Sequence, residues 1–440
     1  MRRCRLDRRE FFAATGSSLL AAGLGSTLVH GRRAQAVTPG AQNWLLESQG
    51  MPEPRIVFPT DGVALEGPRK RIAAITTAYF KYSHADDIIT KFIEGYSVIG
   101  RIHQPHCQVV SLHVEQFPPT DISRGMAARY RIPLVKTPAE ALTLGSGDLA
   151  VDGVLLIGEH GDYPTNEKGQ KLYPRRRLFE EIVKVFRAKG KSVPVFNDKH
   201  LSYSWADAKW MYNQSRELGF PLMAGSSVPT TWRRPPLELR AGTPLEGALA
   251  LGYAGVESYG FHTLECLQVF TEQRRGGETG VRRVRCLEGA AAWEAARRGG
   301  WPRDLLDAAL ASVPGKRGKL PEADPQAVVF LIDYVDGLRA ACYLSRGHSA
   351  EFAFAAGVEG VARPAGTWFY LPKPQRDHFS FLSNHIEKMF LTGKPSYRVE
   401  RTYLTTGMLA GLIDSRFVGG KWIETPELAM IRYEPLSSAR

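Results

Sequence analysis

The stretch SVPVFNDKHLSYSWADAKWMYNQSRELGFPLMAGSS, residues 192–227, decides the fold. It starts as an apolar strand that ends in the polar residues Asn197, Asp198, Lys199 and His200, continues as a helix and closes with a second apolar strand. Continuous apolar strands joined by a helix are typical of a parallel sheet covered on both faces. Ligands bind such sheets at the loops after the strands. The polar cluster is therefore a candidate site, although strand ends also meet solvent, and Asp198 could simply cap the helix.

The same alternation extends over residues 69–228. Upstream strands are predicted at RIAAIT, CQVVSLHVEQ and VDGVLLIG, and helices at SHADDIITKFIEGY, RGMAARYRI, AEALTL and RRRLFEEIVKVFRAKG, with the short apolar stretch PLV between the second and third of these helices. Ser83 is placed to cap the first helix and Gly190 to end the last. These residues predict an α/β domain with a parallel sheet.

The pattern changes after Pro229. AVVFLIDYVDGLRAACYL predicts a hairpin around Asp336 and Gly337, followed by strands at EFAFAAGVEG and TWFYLPK and helices at HFSFLSNHIEKMFLTG and RTYLTTGMLAGLIDSRFVGG. Residues 229–430 are therefore predicted to form an α+β domain with an antiparallel sheet, and residues 431–440 a tail.

The first 36 residues resemble a targeting segment rather than part of the fold. Arginines precede an apolar stretch, Ala34-Gln35-Ala36 offers a cleavage site, and the paired arginines of DRREFFAATG are similar to a twin-arginine (Tat) export signal. We therefore expect a periplasmic or otherwise extracytoplasmic protein; the alternative is an amphipathic N-terminal anchor. Residues 37–68 are predicted to be an extended arm, and no run of 18 apolar residues follows, so no membrane insertion is expected after cleavage.

The basic balance of the chain does not indicate nucleic-acid binding. Of the net charge of +12, residues 1–36 supply +5, and the remainder is spread among many acidic residues. Short clusters such as Arg175-Arg176-Arg177 lack interleaved aromatic residues and are predicted to lie on a solvated helix face.

The cysteines and clustered histidines do not predict a metal site. Five cysteines stand at wide spacings without a CxxC motif, so buried free thiols are expected. His103, His106 and His113 with Cys107 fall on a mixed loop and strand that would scatter them, and no metal is predicted.

Three segments resemble the Gfo/Idh/MocA oxidoreductases: DKHLSYSWADA, GVESYGFHTLECL and HIEKMFLTGKPSY with TTGMLAGLIDS. The resemblance covers residues 69–425. It implies an N-terminal Rossmann domain, a C-terminal domain with an open antiparallel sheet, hydride transfer between NAD or NADP and a sugar-like or polyol substrate, and a homo-oligomer joined through sheet faces. Export by the Tat route in some family members agrees with the N-terminal segment.

The resemblance assigns two catalytic residues. Asp198-Lys199-His200 is similar to the family's Glu-Lys-Pro, which makes Lys199 the cation beside the substrate oxygen, with His200 in place of proline. The SYGFH segment is similar to the family's Asp-x-Gly-x-His, which makes His262 the general base because its ordinary pKa is near neutrality. Ser258, in place of aspartate, and Glu265 are candidate substrate-binding residues. A purely structural role for His262 is the alternative.

The cofactor assignment departs from the family at the first turn. The stretch TTAYFK, residues 76–81, has no glycine where the family has Gly-x-Gly-x-x-Gly, so the backbone is less able to approach a pyrophosphate. Threonine hydroxyls, Lys81 and the helix start could still hold an anion. The predicted cofactor-binding residues are Thr76, Thr77, Ala78, Lys81, His84, Glu159, His160 and Asp198.

Two further segments supply candidate substrate-binding residues. Asp162 and Tyr163 belong to the polar loop that begins at Glu159, and Arg233 follows the first domain. A solvated loop and a linker charge are the respective alternatives.

Three functions remain open at this point. The first is an exported oxidoreductase with a tightly bound NAD(P), and the second a redox-inactive carbohydrate-binding relative that has lost the dinucleotide-binding turn. The third is hydrolysis or lyase chemistry that uses His160, Asp162 and Asp198. A nucleotide retained by the purified protein would support the first.

Overall fold

The computed structural model describes residues 67–98, 100–372 and 376–436. The predicted signal peptide, nearly all of the predicted arm and residues 437–440 of the predicted tail lie outside these ranges.

The first sheet has six parallel strands. They are β1 (Lys70–Ala78), β4 (Cys107–Gln116), β5 (Leu134–Val135), β6 (Gly153–Ile157), β7 (Val195–Asp198) and β8 (Leu222–Gly225), while β2 (Tyr96–Val98) and β3 (Arg101–His103) form a separate ribbon. The spatial order is β5-β4-β1-β6-β7-β8, which confirms the predicted Rossmann-like sheet. The direction of winding reverses beside β1, and a ligand crevice is expected at the carboxyl ends there.

Helices cover both faces of this sheet. They are α1 (His84–Glu94), α2 (Ser123–Tyr130), α3 (Pro138–Thr143), α4 (Arg175–Lys189) and α5 (Trp205–Glu217). Successive residues of β1 enter different cores, Ile72 and Ala74 on one side and Ala73 and Ile75 on the other. The central strands β1 and β6 read as nearly continuous apolar runs because they are buried on both sides.

The second sheet has eight strands and is antiparallel except for one pair. They are β9 (Trp232–Arg234), β10 (Leu245–Tyr253), β11 (Val281–Glu288), β12 (Val328–Tyr334), β13 (Arg339–Ser345), β14 (Phe352–Val358), β15 (Ala365–Tyr370) and β16 (Ile423–Glu424). Their order is β16-β11-β12-β13-β10-β14-β15-β9, and β10 and β13 are the parallel pair. The predicted hairpin is present as β12 and β13, which confirms the predicted fold class of the second half.

Five more helices belong to the second half of the chain. They are α6 (Ser258–Thr271), α7 (Ala290–Arg297), α8 (Arg303–Ser312), α9 (His378–Thr392) and α10 (Val399–Phe417). Residues of α6 and α10 pack on one face, and α7 and α8 pack on the other, where Leu249 and Tyr343 meet Trp293 and Leu306. The sequence analysis did not predict α7 and α8.

The last two helices return to the first sheet. Leu382 and Ile386 of α9 share a core with Ile88 of α1. Tyr403 of α10 stacks on Trp205 and Tyr212 of α5, with ring centroids 4.7 Å and 4.4 Å apart. The helix α10 also reaches the end of β8, where the Thr402 hydroxyl donates to the Ala224 carbonyl (2.9 Å).

Two sequence expectations concern the cysteines and the membrane. Cys107, Cys266, Cys286 and Cys342 are free and buried, as expected. Among the helices of the described ranges, none combines the length and the apolarity that a bilayer span requires.

Candidate active site

Lys199 occupies a strained position directly after β7. Its φ of 69° lies in the left-handed region, which non-glycine residues adopt at a cost of order 1–3 kcal/mol. The turn is held by its N–H, which donates to the Gly225 carbonyl (3.1 Å), and by the Asn197 amide, which donates to the carbonyls of Asp198 (3.2 Å) and His200 (3.3 Å). Strain supported in this way is common at functional sites.

The side chain of Lys199 contacts His262 on α6, a helix that packs on the second sheet. Lys199 Nζ lies 2.5 Å from His262 Nε2, and the residues are 5% and 8% exposed. The other ring nitrogen, Nδ1, lies 2.5 Å from Ser226 Oγ, which also accepts from the N–H of Val228 (3.0 Å). Because an ammonium only donates, Nε2 accepts and the proton of the ring is on Nδ1.

His262 is neutral in this arrangement. Burial, and then the charge of Lys199, lower the pKa of His262 well below its ordinary value. The sequence assigned His262 as general base from the ordinary pKa of histidine, and burial moves the pKa of this ring away from that value. The imidazole can still accept a proton when a new partner supplies one.

Asp198 is a buried carboxylate beside this pair. It is 1% exposed, and neither oxygen has a hydrogen-bond partner among the described residues. His84 Nδ1 lies 2.7 Å from Asp198 Oδ2 without hydrogen-bond alignment. Burial raises the pKa of Asp198 to about 7, against the opposing charge of Lys199. An unsatisfied buried carboxylate is costly and is therefore a candidate ligand group.

A second carboxylate, Glu159, is paired with a buried guanidinium. Arg175 is fully buried. Its Nη2 donates to the Glu159 carboxylate, and its Nη1 lies 3.3 Å from His200 Nε2. A Cβ on Gly158 would lie 2.7 Å from Arg175 Cγ, so glycine is required for this packing. Burial opposes ionisation, but Lys199 and Arg175 hold the pKa of Glu159 at about 2. The prediction that Arg175 lies on a solvated face is wrong, because Glu159 compensates its charge.

The structure brings six predicted site residues together. They are Lys199, His262, Asp198, His84, Glu159 and His160. The ring of His160 lies 5.5 Å from that of His84 and 5.2 Å from that of Phe80. These residues come from the carboxyl ends of β1, β6 and β7 and from α6, as expected for a crevice at the winding reversal.

Several other predicted residues lie away from this cluster or contact protein groups. Lys81 is exposed and pairs with Asp86 (3.1 Å). Asp162 is exposed, and the hydroxyl of Tyr163 donates to Glu115 (3.0 Å). Their cofactor and substrate roles stay predictions.

Two substrate-binding candidates from the second half lie at other places. Arg233 lies over the ring of Phe270, two turns beyond His262 on α6, and Ser258 is exposed at the start of α6.

Glu265 joins three parts of the fold. It is 1% exposed and accepts from the hydroxyls of Thr402 (3.1 Å) and Thr405 (2.7 Å) on α10 and from the N–H of Ser226 (3.3 Å). These contacts tie α10 and the end of β8 to α6, and so fix the distance between Lys199 and His262.

The turn after β1 does not fit a dinucleotide held in the way that a glycine-rich turn holds it. Thr76 and Thr77 are fully buried, and their hydroxyls donate to the carbonyls of Ile157 (3.0 Å) and Glu159 (2.7 Å). Ala78 is also fully buried, and no residue from Thr76 to Lys81 has a positive φ. Without glycine conformations the amides cannot form the usual phosphate cradle.

Sequence reasoning missed two groups that shape the site. Ser226 orients His262, and it directly follows β8, so the rule that strand ends carry functional groups could have found it. Arg175 carried no local signal, because its partner Glu159 is on another element.

Comparison with solved structures finds the same overall fold in NAD-binding dehydrogenases. GenD2 from gentamicin A biosynthesis, in complex with NAD, matches with a TM-score of 0.50 at 13% identity, covering 83% of this chain and 99% of that chain. The inositol dehydrogenase homolog from Azotobacter vinelandii, complexed with NADH and myo-inositol, matches with a TM-score of 0.50 at 8% identity, covering 81% and 98%. No family model and no curated protein matches this chain. At these identities the likeness shows the fold, which resembles that of Gfo/Idh/MocA-type dehydrogenases.

Proposed function

We propose that the chain binds a hydroxyl-rich, carbohydrate-like compound at the Lys199 and His262 pair and transfers a proton at one of its hydroxyl groups. The observation that carries the proposal is the 2.5 Å contact between Lys199 Nζ and His262 Nε2. It brings a donor that follows β7 of the first sheet and an acceptor on α6, which packs on the second sheet, into one buried site. Electrostatic interactions are stronger there than in bulk water.

The chemistry follows from the two groups. A substrate hydroxyl that enters between them accepts from the Lys199 ammonium and donates its proton to His262 Nε2. The cation stabilises the oxygen as negative charge develops. Ser226 keeps the imidazole oriented, because its Oγ accepts from Nδ1 while the ring gains the proton.

A polyhydroxylated ligand fits better than a simple alcohol because Asp198 lies next to Lys199 in the chain. Its carboxylate oxygens have no hydrogen-bond partner in the described part of the chain, and a second hydroxyl would satisfy one of them. Two or more hydroxyl contacts in fixed geometry are what distinguish a sugar or polyol from a monohydric alcohol.

Hydride transfer to NAD or NADP is the second candidate, and the shared fold favours it. GenD2 is in complex with NAD, and the Azotobacter vinelandii homolog with NADH and myo-inositol. A cofactor would supply the hydride acceptor, but the turn from Thr76 to Lys81 does not fit it. The proton transfer described above does not depend on a cofactor. A binding role without catalysis is the remaining alternative.

Export is part of the proposal and is supported by the sequence of residues 1–36. A Tat-type signal moves folded proteins, so the buried polar site would form before export. The fate of that segment can be checked by N-terminal sequencing of the secreted form.

Saturation-transfer NMR on the full-length folded chain tests the proposal with a panel of neutral monosaccharides and polyols that includes myo-inositol. We expect transfer to at least one compound in the wild type and its loss in Lys199→Met and His262→Phe. Lys184→Met, an exposed lysine on α4, is the matched control. No transfer in the wild type, or unchanged transfer in both site variants, would contradict the proposal.

A further inference from the structure

The first turn of α1 is occupied by acidic side chains. A helix start whose N–H groups are free is a ready anion site. Here Ser83 Oγ accepts from the N–H of Asp86 (3.3 Å), and Asp86 Oδ2 accepts from the N–H of Tyr82 (2.8 Å). Asp86 and Asp87 are each 6% exposed. The N–H groups of Tyr82 and Asp86 are therefore already engaged where a pyrophosphate would have to bind, and two buried acidic side chains stand beside them, with burial raising the pKa of Asp87 to about 7.

A guanidinium from another part of the chain pairs with one of these carboxylates. Arg376 Nη1 donates to the carbonyl of Tyr82 (2.9 Å) and lies 2.8 Å from Asp87 Oδ2. Phe379, in the first turn of α9, places its ring 5.0 Å from that of His84. We call this set, Arg376 and Phe379 on Asp87 and His84, the latch. The Arg376 guanidinium, which could otherwise attract a phosphate, is therefore already paired with Asp87.

The ribose side of the crevice is closed by the loop after β6. In dinucleotide-binding folds an acidic residue near the end of the second strand receives the ribose hydroxyls. The corresponding Glu115, near the end of β4, accepts from the Tyr163 hydroxyl (3.0 Å) and from Arg177 (2.5 Å). Next to it, the Gln116 side chain pairs twice with the backbone of Asp162, at 2.8 Å and 3.1 Å.

We infer that this chain binds neither NAD nor NADP, because its own side chains occupy the nucleotide half of the crevice. Three independent parts of the crevice agree. The turn after β1 uses its hydroxyls internally, the start of α1 carries carboxylates under the latch, and Glu115 is engaged by the loop after β6. The inference does not rest on the proposed function, since it concerns the other half of the crevice.

Nucleotide content and nucleotide binding test the inference on the full-length chain produced in a host with a Tat system. The purified protein is denatured and the released NAD(H) and NADP(H) are measured by mass spectrometry, and the native protein is titrated with NADH and NADPH by fluorescence. The NAD-binding Azotobacter vinelandii homolog is the positive control. We expect no retained nucleotide and no fluorescence change. Near-stoichiometric nucleotide, or saturable binding in the wild type, would overturn the inference.

Arg376→Gln shows whether the latch contributes to closure. Binding of NADH to this variant and not to the wild type supports closure by the latch, and binding to neither shows that the turn and loop suffice. The carbohydrate experiment separates this inference from the proposed function. A wild type that retains nucleotide and binds sugar overturns only the inference, and one that binds neither overturns only the proposed function.

Discussion

Replacement of Glu159 by glutamine tests the buried ion pair beneath the candidate site. Arg175 is fully buried and donates to the Glu159 carboxylate. Glutamine keeps the shape of the side chain but removes the charge, which leaves the guanidinium uncompensated next to His200. Removal of one partner from a buried pair costs about 3–5 kcal/mol.

The pKa of Glu159 gives a second measure of the same interaction. Lowering it from the ordinary 4.5 to about 2 corresponds to about 3 kcal/mol of stability. Because the folded-state pKa is depressed, this contribution is present above the unfolded value of 4.5 and is lost as the pH falls towards 2. The two magnitudes agree, so we expect Glu159→Gln to lose about 3–5 kcal/mol at neutral pH.

Urea unfolding of Glu159→Gln, Arg175→Met and the double variant measures the effect. The double variant removes both charges, so it should lose much less than the two single losses combined. Glu180→Gln, which breaks the partly exposed pair with Arg176, is the control and should cost about 0.3–0.5 kcal/mol. A loss below about 1 kcal/mol for Glu159→Gln, or additive losses in the double variant, would refute the reasoning.

Three further predictions follow from the site. Lys199→Ala and His262→Ala should each abolish binding of the ligand found by NMR while near-ultraviolet circular dichroism stays unchanged; wild-type affinity in either variant would remove that residue's role. Asp198→Asn should increase the free energy of unfolding at pH 8 by up to about 4 kcal/mol and leave it unchanged at pH 4. Its melting temperature should therefore rise only at pH 8. The reason is that burial raises the folded-state pKa from 3.8 to about 7 and ionisation costs stability as the pH rises between these values; equal gains at both pH values in calorimetry would contradict this. Gly225→Ala should destabilise the fold by about 1–3 kcal/mol in urea unfolding, because φ is 128° and the new Cβ would lie 2.6 Å from Glu265 Oε2. Gly125→Ala is the control, since a Cβ there would have nothing within 4 Å. A loss for Gly225→Ala no larger than that of the control would contradict the prediction.

The first sheet could be predicted because its signals are local. The strands β6 and β8 are continuous apolar runs, and α1 and α4 carry their own caps at Ser83 and Gly190. The placement of Lys199 followed from the same pattern, since it lies directly after a strand of a parallel sheet.

The second sheet was harder because its signals depend on distant partners. The strand β10, LEGALALGY, is rich in glycine and alanine, which have low strand propensity, and its parallel partner β13 is far along the chain. The helices α7 and α8 are short, and their apolar faces are defined only by the sheet face that they cover.

The protonation of the site could not be predicted from the sequence either. The lowered pKa of His262 and the raised pKa of Asp198 both have burial as their largest cause, and burial is a property of the assembled fold. The buried Arg175 is missed for the same reason.

The most direct test of the account is the ¹⁵N spectrum of histidine-labelled protein, with the His262 signal assigned from a His262→Gln sample. The contact with Lys199 and the burial of the ring predict that His262 is still neutral and protonated on Nδ1 at pH 6.5, the ordinary pKa of histidine, and that its Nε2 shift changes in Lys199→Met. A ring that titrates near its ordinary pKa of 6.5 and does not respond to Lys199→Met would contradict the central claim that these two side chains form one site.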